Sequence, residues 1–484
     1  MNDNDDWTTA KRKPNKPINI YPEDRAENMP LNTSLCATAF ESRDLERSKE
    51  TASLNRFVKK SQISAHWQVR TPDGNYQNSV WNEIITPKDT LNTAGKLVIS
   101  NKLNEVTLPY GVLKPSSSYY WHVRYQASDD LWSEWSSETH FATSPFTVQP
   151  YLQNMTQTSI VVMWEDGEQD GYVEYGLDGL YRQKVDSIVK RTEADTFIHE
   201  VPIKGLSSET IYHYRVANSL YSSQNATFMT APNSDAPFTF SVWADSQTGP
   251  QVFETLLDRM LDNNIDFAVA VGDMASNGGI YNHVHDYHVG PLSKKFRGKL
   301  PWFLTWGSHD GSDRIIYDYV SLPDKSGSYS FNYGNSHFTF LSIHNLDERH
   351  VEWLEADLAS SESQNAVFRF FFVHNPPYCI LWLDGDQWLR ENVVPLLEKY
   401  NIDFVFSGHT HDYERGYHNG IYYVVNGGSS WLDTHEPVIG DWDFLRDNMV
   451  MDNEFVLISI DGNKLEYKAI NDEGDIIDMI HIEK

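Results

Sequence analysis

The chain has 484 residues, a hydrophobic fraction of 40% and a formal net charge of −29. A chain of this length forms roughly two to four domains, and its hydrophobic fraction excludes a disordered protein. The acidic balance argues against nucleic acid as a partner, because binding to a phosphate backbone needs clustered Lys and Arg. No apolar stretch approaches the roughly 18 residues of a membrane helix, so no membrane span is predicted.

The first residues, MNDNDD, are acidic and polar. A basic segment followed by an apolar run is absent there, so no signal peptide is predicted in this sequence. Two cysteines, Cys36 and Cys379, lie far apart and in different predicted domains. We therefore predict buried thiols that pack as small hydrophobic side chains rather than a disulfide.

Residues 1–33 are polar and interrupted by prolines, which predicts an extended lead-in. Residues 34–145 contain short alternating runs separated by turn residues, a pattern typical of a β-sandwich. Within this region, YYWHVRY at 119–125 and WSEWS at 132–136 resemble the closing strands of a fibronectin type III domain. We interpret their aromatic side chains as core and strand packing rather than as a ligand-binding platform.

Residues 146–233 form a second predicted β unit, which ends in a turn-rich linker. Its strands are predicted at 159–164, 171–176 and 211–216. From 234 to 484 apolar strands alternate with helical patterns. This alternation predicts an α/β domain with a mixed sheet, or two packed sheets, flanked by helices.

Polar side chains follow the predicted strands of the last domain, where loops converge in open α/β folds. Six of them are candidate metal-site residues: Asp245, Asp273, His309, His374, His409 and His411. One such residue alone is more often a turn or capping residue, but six in chain order predict a metal centre. Carboxylate and imidazole donors suit Fe, Mn or Zn better than a metal that prefers thiolates.

Five short blocks occur in chain order within this domain. They are ADSQ at 244–247, GD at 272–273, GSHD at 307–310, HNPPY at 374–378 and GHTHDYER at 408–415. On these blocks, residues 146–484 resemble calcineurin-like metallophosphoesterases, most closely the purple acid phosphatase-like branch with its amino-terminal fibronectin-like domain. The resemblance implies two fibronectin type III-like β-sandwiches before the catalytic domain, and a secreted or periplasmic location.

The resemblance also implies ester hydrolysis with two metal ions. Asp273 would bridge the ions. Asp245 and His411 would bind the first, and His374 and His409 would bind the second.

Beside the metals, His309 would protonate the leaving group, and Asp310 would orient its imidazole ring. The substrate pocket is predicted to include Asn375, Tyr378, Trp382 and Arg415.

The chain departs from the family pattern at three positions. Gln247 stands where most metallophosphoesterases carry a histidine, and Ser308 stands where they carry an asparagine ligand. Ser276 replaces the tyrosine that colours purple acid phosphatases, so no purple charge-transfer band is expected. Gln247 and Ser308 are at most weak ligands, which leaves one or two bound metal ions as alternatives.

Residues 281–288, YNHVHDYH, place three histidines in a predicted loop: His283, His285 and His288. Loops of this kind line the sites of α/β folds, so one of these histidines could replace a lost ligand. The alternative is a surface loop that covers a strand end.

The sequence therefore predicts a metal-dependent hydrolase of an anionic ester, with a phosphomonoester or phosphodiester as the favoured substrate. Sulfate-ester hydrolysis and other metal-assisted chemistry on an acidic glycan are alternatives. A weakened scaffold that binds a glycan or a partner is a third. The pairing of His309 with Asp310 favours catalysis over the scaffold.

Overall fold

The computed structural model describes the chain outside residues 1–6, 32, 49–54, 92–96, 101–102, 110, 234, 312–313, 383, 433–441 and 447. The chain divides into two compact units, Met1–Thr147 and Val148–Lys484. Among the described residues, no helix is both long and apolar enough to cross a membrane. Cys379 is buried, Cys36 is half-buried, and the two do not form a disulfide.

The first unit is mostly β-structure. Its five-stranded sheet contains, in spatial order, Ala26–Met29, Thr139–Thr143, Ser118–Ala127, Gln62–Arg70 and Trp81–Ile85. Smaller sheets join Glu105–Thr107, Ser34–Ala37 and Asn19–Tyr21; Trp7–Ala10, Arg43–Ser48 and Asn55–Lys59; and Leu97–Ser100 with Lys88–Leu91. A short 3₁₀ helix, Tyr76–Asn78, follows the turn after Gln62–Arg70.

The aromatic residues of the first unit pack on both faces of its central strand. Trp121 is fully buried and stacks on Trp67 with ring centroids 5.7 Å apart. On the other face, the Arg124 guanidinium lies 4.6 Å from the Trp132 ring and 4.4 Å from the Trp135 ring. These contacts account for the aromatic residues as core and strand packing.

The prediction that residues 1–33 form a lead-in without strands is wrong. Asn19–Tyr21 pairs antiparallel with Ser34–Ala37, and Ala26–Met29 pairs parallel with Thr139–Thr143. Backbone hydrogen bonds hold these strands, and they need no alternation of apolar side chains. The polar composition therefore concealed strands of the first unit.

The second unit begins with a β-sandwich. One sheet contains Phe146–Gln153, Ser159–Asp166, Phe197–Lys204 and Ile188–Arg191, and the other contains Gln183–Asp186, Tyr172–Gly176, Ile211–Ala217 and Ala226–Met229. In Ser159–Asp166 seven of the eight residues are buried, because both of its faces are covered.

The remainder of the second unit contains two mixed sheets. The six-stranded sheet runs Trp302–Thr305, Phe267–Val271, Phe238–Trp243, Glu454–Asp461, Lys464–Asn471 and Ile476–Glu483. The seven-stranded sheet runs Tyr329–Tyr333, Ser336–Leu341, Phe368–Val373, Phe404–Ser407, Ile421–Asn426, Tyr413–His418 and Met449–Val450. Phe240 of the first sheet lies 5.2 Å from both Phe338 and Phe370 of the second, so the sheets pack face to face as predicted.

The helices of this domain are Pro250–Leu261, Tyr281–Val284, Gly290–Phe296, Glu348–Leu358, Ser361–Gln364, Gln387–Asn392, Val394–Lys399 and Asp443–Arg446. A π-helical turn, His285–Val289, and a 3₁₀ helix, Ile315–Tyr319, complete the set in the described residues. Gln387–Asn392 and Val394–Lys399 follow one another along the chain and are separated at Val393. Pro395 lies in the first turn of the second one, where its missing N–H costs no hydrogen bond.

Candidate metal centre

The candidate ligands come from the carboxyl ends of strands in both sheets. Asp245 and Asp273 follow parallel strands of the six-stranded sheet, whereas His374 and His409 follow parallel strands of the seven-stranded sheet. Donor atoms of Asp273, His374 and His409 lie within 4.8 Å of one another. The packing of the two sheets therefore brings these residues into one site.

Two buried carboxylates form the centre of the site. Asp245 is 0% exposed, and its Oδ1 lies 3.5 Å from Nε2 of His411. Its Oδ2 accepts a 2.8 Å hydrogen bond from the backbone N–H of His409. Asp273 is 2% exposed, and its Oδ2 lies 3.2 Å from Nε2 of His374. Asp245 thus adjoins the group of Asp273, His374 and His409 through the His409 N–H, and His411 lies against Asp245.

The backbone of the site is held in the left-handed region at three of these residues. The φ angles are 59° at Asp245, 52° at Asp273 and 75° at His409. Such conformations are strained for non-glycine residues and are concentrated at functional sites. Two glycines make room, since a Cβ on Gly307 or Gly408 would lie 2.2 Å from the nearer carboxylate oxygen.

Unpartnered donor atoms indicate that the site fits a cation. Nδ1–H of His374 donates to the carbonyl of Val271 at 2.8 Å, which turns Nε2 toward the carboxylates. Within the described part of the chain, neither this Nε2 nor Oδ1 of Asp245 has a partner in hydrogen-bond geometry, although both are buried. Buried atoms of this kind are costly unless a ligand satisfies them. Oxygen and imidazole donors match Fe, Mn or Zn.

The protonation states reflect the same concentration of negative charge. Burial opposes ionisation of Asp273, but the adjacent His374 and the N–H of His309 hold its pKa below the usual range. Burial also opposes protonation of His374, but Asp273 and Asp245 raise its pKa to about 9. The site therefore attracts positive charge.

The three substituted positions surround this group. Gln247 is 2% exposed, and its Oε1 has no hydrogen-bond partner among the residues that the structure describes. The Ser308 hydroxyl donates to Oδ2 of Asp273 at 3.2 Å. The Ser276 hydroxyl donates to the backbone carbonyl of Gln247. All three side chains are neutral, so the carboxylate and imidazole side chains are the main candidates to bind a cation.

His309 is exposed and is fixed beside the carboxylates by its own backbone. Its N–H donates to Oδ1 of Asp273 at 2.7 Å. Its Nδ1 lies 3.1 Å from the carbonyl of Ser276, which can only accept, so Nδ1 carries the proton. The Nε2 atom is then available for proton transfer to or from a substrate.

The prediction that Asp310 orients His309 is wrong. Asp310 is fully buried, and its carboxylate accepts hydrogen bonds from the backbone N–H groups of Asp273, Met274 and Gly307 at 2.8–3.0 Å. It therefore shapes the loop that carries Asp273. The Ser276 carbonyl, which side-chain motifs cannot reveal, orients His309 instead.

Two of the four predicted pocket residues are structural. Tyr378 belongs to the hydrophobic core and lies 4.7 Å from Trp442 between ring centroids. Arg415 is 9% exposed and forms an ion pair with Asp478, so its charge is already neutralised. These predictions are wrong because neighbouring elements cover both side chains.

The other two predicted pocket residues lie near the ligands. Trp382 is 43% exposed, and its ring stacks 5.6 Å from that of His409. Its φ of 65° is unusual for a large side chain. Asn375, directly after His374, donates to Asp386 at 3.2 Å. A second exposed tryptophan, Trp431, lies 4.4 Å from the His411 ring.

The histidine-rich segment at 281–288 is helical rather than a loop. His285 is fully buried, with Nε2 3.0 Å from Glu165 of the β-sandwich and 2.9 Å from the Tyr319 hydroxyl. His288 is fully buried against Trp302. His283 packs on Tyr287. His285 is paired with Glu165, His288 is buried against Trp302, and neither belongs to the group of close donor atoms, so the prediction of these histidines as substitute ligands is wrong for both.

Comparison with known proteins agrees with this geometry. Residues 239–413 match the calcineurin-like phosphoesterase family, and residues 145–230 match the purple acid phosphatase N-terminal domain. Purple acid phosphatase 18 of Arabidopsis thaliana is 26% identical over 342 residues, which cover 64% of this chain and 74% of that protein. A purple acid phosphatase of Glycine max is 24% identical over 328 residues, which cover 59% of this chain and 70% of that protein.

Solved structures show the same fold. The purple acid phosphatase isolated from yellow lupin (Lupinus luteus) seeds has a TM-score of 0.64 at 16% identity and covers 92% of this chain and 93% of its own. The structure of PhoD has a TM-score of 0.51 at 14% identity, covering 70% of this chain and 92% of its own. The resemblance carried by the five sequence blocks is confirmed. Residues 239–413 thus form a calcineurin-like phosphoesterase domain that follows a purple acid phosphatase N-terminal domain at 145–230, an arrangement that indicates a phosphoesterase hydrolase.

Proposed function

We propose that the chain hydrolyses a phosphate ester by using one or two metal ions bound to Asp245, Asp273, His374, His409 and His411. The observation that carries this proposal is the buried group of Asp273, His374 and His409, whose donor atoms lie within 4.8 Å. His309 is fixed beside that group through Asp273. A binding scaffold has no need of an exposed imidazole held in one tautomer at a cation site.

Bound metal ions supply Lewis acidity and lower the pKa of water. The side chain of His309 supplies the proton. With Nδ1–H held by Ser276, a protonated His309 donates from Nε2 to the leaving oxygen as the phosphorus–oxygen bond breaks. The oxygen of the attacking water bonds to phosphorus and loses one proton to solvent, the leaving group departs as an alcohol, and solvent then reprotonates His309.

The number of metal ions depends on how much the neutral side chains contribute. Asp245 with His411, and Asp273 with His374 and His409, each present charged or imidazole donors. Gln247 and Ser308 add weak oxygen donors. We propose Fe, Mn or Zn at this centre. A glycan substrate and a secreted or periplasmic location stay predictions.

Metal analysis of the purified protein and an ester panel test the proposal. We expect one or two equivalents of Fe, Mn or Zn and hydrolysis of phosphate esters in preference to sulfate esters. Iron-loaded protein should lack a tyrosinate charge-transfer band, since Ser276 replaces the tyrosine. Metal-free protein with no phosphatase activity after metal addition would overturn the proposal.

A further inference from the structure

A cavity of about 690 Å³ lies next to the loop that carries His309. Its charged lining residues are Lys190, Arg314, Asp318 and Lys325, and its polar ones include Tyr317 and His344. Its volume falls within the range of about 300–1,000 Å³ that is typical of small-molecule sites. The whole chain has 39 basic and 68 acidic residues, so three cations around one carboxylate differ from its general surface.

The cavity is joined to the catalytic loop on two sides. Nη1 of Arg314 donates to Oδ1 of Asn277 at 2.5 Å, and Asn277 follows the residue whose carbonyl holds His309. Nε2 of His344 lies 3.0 Å from the carbonyl of Gly307, two residues before His309. The lining residues Arg314 and His344 therefore contact the two loop segments that hold His309.

The cavity has a net positive charge. Lys190 pairs with Asp318, which cancels the one carboxylate among the described lining residues. Arg314 donates to a neutral amide, and no ion pair among the described residues involves Arg314 or Lys325. Two cations are thus left to bind an anion.

The basic lining is not a general property of cavities in this domain. A cavity of about 680 Å³ lies where the strand Phe238–Trp243 begins, at the opposite end from Asp245. Its charged lining is mostly acidic: Asp266, Asp461, Glu466 and Glu483, with Lys464 and His481. The two cavities therefore differ in the sign of their charged lining.

We infer that the basic cavity binds a second anionic group, carried on the leaving group of the phosphate ester. The inference rests on the proposed function, because His309 faces the leaving oxygen only in that reaction. Hydrolysis breaks the bond between phosphorus and the leaving oxygen, His309 gives that oxygen its proton, and the distal anion is unchanged. Phosphate, sulfate and carboxylate share the required chemistry, and Arg314 and Lys325 bind whichever is present.

The test compares four esters: propyl phosphate, propane-1,3-diyl bisphosphate, 3-sulfatopropyl phosphate and 3-carboxypropyl phosphate. We expect kcat/KM to be about tenfold higher for a two-anion ester, mainly through a lower KM, since hydrogen bonds between charged groups are the stronger ones; tenfold corresponds to about 1.4 kcal/mol. The preferred ester identifies the distal anion.

Variants assign the preference to the cavity. Arg314→Ala and Lys325→Ala should each reduce the ratio of two-anion to one-anion kcat/KM several-fold, and the double variant should remove it. Arg314 also contacts the catalytic loop through Asn277, so Arg314→Ala removes a loop contact as well as a cation. Lys325→Ala tests the cavity without removing that contact. Lys399→Ala is the matched control, since its exposed side chain pairs with Glu355 at the end of a helix far along the chain. It should leave the ratio unchanged.

The outcomes separate this inference from the proposed function. Equal kcat/KM for all four esters, or a preference that survives the double variant, overturns the inference and leaves the proposed function standing. Hydrolysis of none overturns the proposed function. Calorimetry then tests the cavity without turnover: tighter binding of propane-1,3-bisphosphonate than of propylphosphonate, lost in the double variant, supports an anion site, and equal binding overturns it.

Discussion

Two histidine-rich segments of this chain, residues 283–288 and 409–411, resemble each other in sequence and differ in their surroundings. His409 and His411 lie next to Asp245, whose Oδ1 has no hydrogen-bond donor among the described residues. His285 lies next to Glu165, whose oxygens accept hydrogen bonds from the hydroxyls of Tyr281 and Tyr319 at 2.7 and 2.8 Å.

The difference shows what distinguishes a metal site from a structural ion pair. Both carboxylates are buried, and both have imidazole nearby. Glu165 is supplied with hydrogen-bond donors by the protein, whereas Asp245 and His374 retain buried atoms without partners. The two sites differ in whether the protein supplies hydrogen-bond donors to the buried carboxylate. The number of nearby histidines does not distinguish them.

The largest expected effect comes from removing a metal ligand. His374→Ala should lower kcat by at least about 10³-fold, since bound metals contribute several kcal/mol and each 1.36 kcal/mol is tenfold. Metal content measured by mass spectrometry should fall with it. His285→Ala is the comparison variant, because we expect it to retain metal while losing thermal stability. Full activity in His374→Ala would show that the metal centre is placed wrongly.

The sequence alone sufficed to predict the candidate ligands of the metal centre. Each of Asp245, Asp273, His374 and His409 follows an apolar strand that the structure contains, and the carboxyl ends of neighbouring parallel strands lie together. Strand order places these residues in one site without any knowledge of side-chain contacts. That is why the candidate ligands could be named in advance.

The second largest effect is expected at His309. Its imidazole ring is exposed and has no carboxylate partner among the described residues. His309→Ala should lower kcat for alkyl phosphates by about 10²- to 10³-fold, because general acid catalysis contributes about this much. For an aryl phosphate such as p-nitrophenyl phosphate the loss should be much smaller, since that leaving group needs no proton. Equal losses for both substrates would mean that His309 is not the proton donor.

Other contacts could not be predicted, for reasons that particular residues show. Asp310 follows His309 in the chain, yet its carboxylate accepts from backbone N–H groups of another loop. His285 meets Glu165 across 120 residues of sequence. Such contacts depend on how two elements dock, and neither periodicity nor motif spacing contains that information. The polar strands before residue 33 were missed for a related reason, since backbone pairing at sheet edges leaves no side-chain pattern.

The third prediction concerns the buried contact between His285 and Glu165. Glu165→Gln should destabilise the protein by about 3 kcal/mol, because it removes the charged partner of the buried His285. Activity per folded molecule should be nearly unchanged. The melting temperature by calorimetry checks the prediction, with the exposed Glu193→Gln as its matched control.

The same variant should change how stability depends on pH. Burial opposes ionisation of Glu165, but His285 and neighbouring hydroxyls lower its pKa. A depressed pKa stabilises the fold above the unfolded value of about 4.3, and this contribution is lost as the pH falls through the folded pKa. The difference in unfolding free energy between wild type and Glu165→Gln should therefore narrow in acid. A difference that does not change with pH would contradict an ionised Glu165.

The smallest effect is expected at Trp382, which stacks on a metal-site histidine and leaves part of its ring exposed. Trp382→Ala should raise KM for esters with ring-shaped leaving groups about fivefold, since an aromatic contact contributes roughly 1 kcal/mol. Trp382→Phe keeps a ring at this position and should recover most of the loss, and small alkyl phosphates should show little change in KM. If Trp382→Ala raises KM equally for ring-shaped and alkyl esters, the ring supports His409 rather than the substrate. In that case Trp382 belongs with His285, as a side chain whose position beside a histidine serves the fold.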